Sequence, residues 1–159
     1  MTQISIWLSF ISTALAIYAA YTTWHDKHRN IEISYNWGNK ISSRFNISFN
    51  FFNPSSRNIS ITEIKIIENG HSFSCPREPL LLMGRAKKAV FSASLPLNIA
   101  PSTSIDAVYP FQFLDKTMDL REYTLIFRVN GVDITQTIDL GKNTIDGDQF
   151  AKRFEKQLI

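Results

Sequence analysis

Metal or nucleophilic chemistry in this chain would have to begin from three histidines and one cysteine. His25 and His28 flank Asp26 and Lys27, and a His-Asp-x-His run has the look of a ligand pair. Structural zinc takes four donors, and no further ligand stands near this run in the sequence. Solvated charge at the exposed end of the preceding apolar segment fits it better. His71 and Cys75 share a parity on a short predicted strand, where a lone buried cysteine behaves as a small hydrophobe. The chain has no nucleophile elbow, no phosphate-cradling glycine loop and no zinc spacing. Several of its six glycines are committed to turns. No catalytic residue, metal or cofactor is expected.

The elements that would hold any site come from length and composition. At 159 residues the chain has room for one domain. The apolar residues lean toward Ile and toward Phe, of which there are 12, and these suit a half-buried pleated surface better than a helix. A net charge of +3, with its basic residues scattered, is too modest to argue for nucleic acid. The single cysteine forms no internal disulfide, which leans toward a reducing compartment. Three regions are expected: residues 1–29, a membrane helix with its juxtamembrane segment; 30–141, a β-domain; and 142–159, a tail with a short helix.

From Ile4 to Trp24 the sequence ISIWLSFISTALAIYAAYTTW carries no charge. As a helix these roughly 21 residues would span about 30 Å, the thickness of the hydrocarbon core. Trp7, Tyr21 and Trp24 sit near the ends, where amphipathic rings favour headgroups. As a buried core helix it would lack a polar face and would need a larger helical domain around it. A cleaved signal peptide would begin with positive charge, and Met1-Thr2-Gln3 has none. The expectation is a single transmembrane helix. Lys27 and Arg29 follow it directly, with Lys40 and Arg44 further on, so the β-domain is expected in the cytoplasm. Two Asn-x-Ser sequons, at Asn46 and Asn58, point weakly outward.

Within the span Ser5, Ser9, Ser12, Ala16, Ala19 and Thr23 recur at spacings of four, three, four, three and four. That is the stripe of a left-handed helix crossing, and small residues let membrane helices approach closely. The stripe reads either as a helix–helix seam, with itself or with a partner, or as small residues merely tolerated in a single span.

Beyond residue 30 apolar residues recur at every second position, the signature of strands. Ile31, Ile33, Tyr35 and Trp37 form one such run, and Phe45, Ile47, Phe49 and Phe51 form the clearest. Ile59 and Ile61 continue as Ile64 and Ile66, so the inward parity flips near Thr62-Glu63, as a bulge requires. Asn69-Gly70 and Asn130-Gly131 read as hairpin turns. An Ala89–Leu95 strand and a run through Ile105, Ala107, Tyr109 and Phe111 complete the set. Pro110 makes that last run an edge strand or a bulged one. The fold class expected is all-β: an immunoglobulin-like antiparallel sandwich of about seven or eight strands. The paired cysteines of true immunoglobulin domains are absent.

Two segments remain. Pro76 to Lys88 looks irregular and carries Leu80, Leu81, Leu82 and Met83, then Arg85, Lys87 and Lys88. It reads as a partner-binding or membrane-touching loop, or as a crossover whose leucines plug one end of the sandwich. In the tail Asp148 is expected to cap a helix to about Leu158, with Phe150 and Phe154 on one face and Lys152, Arg153 and Lys156 among its polar residues. Such a helix lies on anionic lipid, grips a partner, or packs its aromatics on its own domain.

The span, the stretch FNISFNFFNPSSRNISITEIKI and the stretch LPLNIAPSTSIDAVYPF resemble a group of short bacterial and prophage-borne proteins. These join one N-terminal membrane helix to an immunoglobulin-like β-domain, and most have no assigned activity. The resemblance covers most of the chain and implies bacterial origin and an inner-membrane location. It carries over no functional residue. The leading expectation is a membrane-tethered module that binds a protein partner or its own copies through the helix, with no small-molecule ligand specified. A ligand-gated membrane effector of an anti-phage type and an outward-facing envelope or adhesion module are the alternatives.

Overall fold

Alternation in the first two runs fixes the first sheet. β1 (Glu32–Ile41) and β2 (Arg44–Asn53) pair antiparallel, with a register shift between Tyr35 and Trp37. The computed structural model describes residues 2–27, 31–41, 44–68, 70–85, 88–112 and 122–155, with the side chains of 2–6, 25–27, 85 and 88 outside that description. β3 (Ile59–Glu68) and β4 (His71–Ser74) form a hairpin whose Gly70 has φ of 79°. β5 (Leu81–Arg85) and β6 (Lys88–Phe91) make a second, two-stranded unit. β7 (Leu97–Ile99), β8 (Thr103–Gln112), β9 (Glu122–Val129), β10 (Val132–Asp139) and β11 (Thr144–Ile145) complete the described strands.

One sheet runs β11-β1-β2-β8 and the other β10-β9-β3-β4, with β7 also on β3. The two pack into a sandwich, each presenting one parity of its strands to a common core. Phe45, Ile47, Phe49 and Phe51 of β2 and Tyr109 of β8 meet Ile61, Ile64 and Ile66 of β3 and Leu125 and Phe127 of β9. Phe127 stands edge-on to both Phe49 and Phe51, at ring-centre distances of 5.3 and 6.1 Å. Such aromatic pairs contribute about 0.5–1.5 kcal/mol each beyond the area they bury.

Several sequence expectations are met. The register of β3 on β9 shifts between Ile61 and Glu63, where the parity flip placed a bulge. Asn130 and Gly131 both take positive φ, as a two-residue turn between Val129 and Val132 needs. Among the described strands β8 pairs only with β2, at the edge of its sheet. Other expectations are corrected. Within Pro76–Lys88, expected to be irregular, Leu81–Arg85 is a strand that pairs antiparallel with Lys88–Phe91, and the strand expected over Ala89–Leu95 spans Lys88–Phe91. Ala93 instead donates its N–H to Val108 O of the sheet edge, and Leu95 to Arg77 O. The additional strands are short ones that two-residue periodicity does not resolve, β7 and β11 among them.

The terminal helices differ in setting. α1 (Thr2–Lys27) would extend roughly 39 Å at the α-helical rise, and its described side chains from Trp7 to Trp24 are all exposed. Among the described residues no helix is long and apolar enough to cross a membrane. The membrane-span expectation is therefore not met on those residues alone. Serines, threonines and tyrosines dilute the apolar ones there, and Ile4 and Ile6 lie outside the described side chains. α2 (Gly147–Phe154) is capped by Asp146, whose carboxylate accepts from Gln149 N at 2.7 Å. Asp148, expected as the cap, sits in the first turn; the expected extension to Leu158, with Lys156, lies outside the described residues.

One glycine is fixed by close approach. A Cβ on Gly38 would stand 2.6 Å from Phe45 Cε1 and 2.9 Å from the Tyr35 hydroxyl. Gly38→Ala should therefore destabilise the β-domain by about 1–3 kcal/mol, as overpacking does. Urea denaturation followed by tryptophan fluorescence would measure it, and an unchanged midpoint would refute the close packing.

Candidate functional site

β2 has no free face. Its inward side chains fill the sandwich core, and its outward Asn46 and Ser48 are buried as well. Trp37 and Asn39 of β1 stand opposite Ser48 and Asn46, while Val108 and Pro110 of β8 flank them on the other side. α2 and the β5–β6 hairpin cover this outer surface. Leu82, Val90, Phe150 and Phe154 close over Trp37 as a second small core. Trp37 meets both rings of α2 edge-on, at 5.7 and 6.0 Å. The Arg153 guanidinium carbon lies 5.4 Å from the Trp37 ring centre, within cation–π reach. Arg44 ties the hairpin down, donating to Leu81 O at 2.9 Å and Leu82 O at 3.4 Å.

Beneath this cover Asn39 donates to Ile145 O at 3.0 Å, while its own Oδ1 has no partner. Both polar atoms of the Asn46 side chain are likewise unpartnered and buried. Burying an unpaired amide costs about 1–3 kcal/mol. Beside the cover a groove of about 500 Å³ opens between the sheet and α2. Asn36, Trp37, Ser48, Asp106 and Val108 form its floor, with Arg153 and Phe154 at the rim. Asp106 Oδ1 accepts from Asn36 Nδ2 at 3.0 Å and Asn50 Nδ2 at 2.9 Å, which holds the carboxylate along the sheet surface. The groove thus offers a carboxylate, a guanidinium, an amide and the hydroxyls of Ser48 and Tyr35. Among the described residues no group of His, Cys, Asp and Glu is placed to hold a metal ion.

Of the three groups of residues singled out from sequence, no described member lines this groove. Ser9, Ser12, Ala16, Ala19 and Thr23 are exposed on α1, with the side chain of Ser5 outside the described residues. Ser12 and Thr23 donate their hydroxyls to Ser9 O and Ala19 O of the same helix rather than outward. Trp7, Tyr21 and Trp24 are exposed; the side chain of Lys27 and all of Arg29 lie outside the described residues. In the 80–88 segment Leu82 is buried, Leu80 and Met83 are half-buried, and Leu81 is exposed beside its cross-strand neighbour Phe91. Arg85 and Lys88 lie on the hairpin strands with undescribed side chains, and Lys87 is outside the described residues. Arg153 and Phe154 lie on the tail helix expected from sequence, whereas Ser48, Asp106 and Val108 escape sequence reasoning because they are the outward parity of their strands, which reads as solvent-facing. Trp37 was assigned to the inward parity; the register shift at Tyr35/Trp37 turns it to the opposite face.

Burial sets the ionisation of the interior. Cys75 lies beside Tyr109, and its thiol is pushed up to about 12, chiefly by burial. Burial likewise raises the Tyr109 phenol, which has no hydrogen-bond partner, and lifts Tyr35 to about 12. The chain matches no protein-family model and no curated protein.

Two outcomes follow. Unfolding returns Cys75 and Tyr35 toward their ordinary values of 9.0 and 10.0, so both shed protons more readily in the unfolded chain. The raised folded values therefore give stability that is complete below about pH 9 and is lost as pH rises toward 12. Urea midpoints across this range should fall, and less steeply in Cys75→Ala; equal slopes would refute the burial argument. Trp37→Ala should cost about 3–5 kcal/mol and release α2. Trypsin would then cut at Lys152 or Arg153 at least several-fold faster, whereas an unchanged digest would mean that α2 holds without the indole.

Proposed function

We propose that this chain is a non-enzymatic, membrane-tethered interaction module, with an immunoglobulin-like sandwich held at the cytoplasmic face of a bacterial inner membrane by α1. One observation carries the reading: α1 exposes Trp7, Leu8, Phe10, Ile11, Leu15, Ile17 and Tyr18 over about half of its circumference, the rest carries small Ser, Ala and Thr residues, and nothing among the described residues covers them. A helix that carries no charge on any side and exposes this many large apolar side chains belongs against protein or in lipid. The uncharged sequence begins at Ile4, before the described side chains, and reaches Trp24. The hydroxyls that dilute its apolarity are largely bonded within the helix. Ser12 and Thr13 donate to Ser9 O, and Thr22 and Thr23 to Ala19 O, at 2.7–3.0 Å. Hydroxyls bonded in this way lose less on transfer to hydrocarbon than free ones. Lys27 and Arg29 beyond the span favour the cytoplasmic side. Tethering raises the domain's effective concentration at the bilayer, so weak contacts with a protein partner suffice.

The groove between α2 and the sheet favours a second reading, a ligand-gated membrane effector in which occupancy of the groove clusters the helices. In that case overexpression would leak the membrane, and Ser9→Leu with Ala16→Leu would abolish the leak.

Alkaline carbonate washing of membranes tests the anchor. The intact chain should stay with the vesicles; recovery of uncleaved chain in the wash would overturn the reading. Protease added to intact spheroplasts should leave the β-domain uncut, and digestion would place it outside. A partner should copurify stoichiometrically in mild detergent.

A further inference from the structure

Each sheet ends in edge strands whose unpaired backbone groups can template another strand, and natural proteins blunt such edges. β4 and β11 are short, four and two residues. β8 carries Pro110, and its Val108 O already accepts from Ala93 N. Among the described residues β10 has none of these protections. It runs eight residues, VDITQTID, without proline, lysine or a break in its register on β9. Because Val129 and Val132 flank a two-residue turn, the backbone groups of Val132, Ile134, Gln136 and Ile138 face β9. Those of Asp133, Thr135 and Thr137 face away, and all three residues are exposed.

We propose that β10 pairs antiparallel with β10 of a second copy, about a two-fold axis at Thr135, joining the two sheets edge to edge. The side chains select both the occupant and the register. With Thr135 opposite Thr135 of the second copy, Asp133 faces Thr137 and Asp139 faces Gly131. No like charges meet. Moving the axis to Gln136 would set Asp133 against Asp139 twice, a destabilising arrangement. Within its own chain Asp133 is held in place by Arg128, whose Nε donates to it at 2.8 Å and Nη2 at 3.1 Å. The three outward residues would exchange about six backbone hydrogen bonds across the axis. Val132 supplies an independent sign. It is 66 % exposed although its parity is that of the core, and in this register it meets Ile138 of the second copy.

The test uses the full chain in mild detergent, with mass measured by light scattering. The wild type should be dimeric. Thr135→Lys sets two lysines opposite one another and should weaken the dimer about tenfold or more. Thr137→Lys places its charge opposite Asp133 and should leave the dimer intact. Thr135→Pro removes only an outward N–H, so β10 keeps its bonds to β9 while the dimer is lost. Circular dichroism of each variant separates loss of pairing from loss of fold. Under mild oxidation Thr135→Cys should crosslink and Thr137→Cys should not, Cys75 being buried. A monomeric wild type would overturn the proposal, as would a dimer indifferent to Thr135→Lys and Thr135→Pro, which would mean pairing through α1 or another surface. These outcomes do not depend on whether carbonate extracts the chain.

Discussion

β2 must be buried on both sides, and the architecture follows from that requirement. Its inward row of Phe45, Ile47, Phe49 and Phe51 makes the sandwich core against Ile64, Ile66 and Phe127. Its outward row would be wet in a simple two-layer sandwich, since antiparallel sheets usually leave one face to water. Here Trp37, beside Ser48, turns that face into a second apolar surface, which α2 and the β5–β6 hairpin have to cover. The cover is local and leaves a groove along its margin, so the one concave polar surface described lies where the third layer stops.

The second sheet shows the opposite solution. Its outer side carries Glu63, Lys65, Arg128 and Asp133, linked at 2.8–3.7 Å. These pairs are partly exposed, and such contacts contribute little to stability. Their effect is to keep this face soluble while Ile61, Ile64 and Ile66 point inward. The molecule is thus asymmetric across its thickness, with a covered, grooved side and a charged, water-facing side.

Strand periodicity made most of the sandwich legible from sequence. The bulge at Ile61/Glu63, the turn at Asn130-Gly131 and the edge position of β8 were readable because each is a local event. The groove was not, because its residues come from four strands or helices brought together by register, and one shift beside Tyr35 moves Trp37 to the other face. The hairpin at 81–91 was hidden for a related reason. Its two strands are too short to establish a period, and its anchors are carbonyls held by Arg44, a contact separated by 37 residues. Long-range hydrogen bonds of that kind leave no trace in local pattern.

The parallel pairing of β11 with β1 joins Gly38 to Thr144 and Asn39 to Ile145, residues from opposite ends of the domain. During synthesis β1 emerges well before the strand and helix that shelter Trp37. The indole and the neighbouring amides of Asn39 and Asn46 therefore stay uncovered until Phe154 has been made. A nascent chain halted before Thr144 would present this sticky patch to chaperones or to its neighbours, which makes β11 and α2 the step that completes a protected surface.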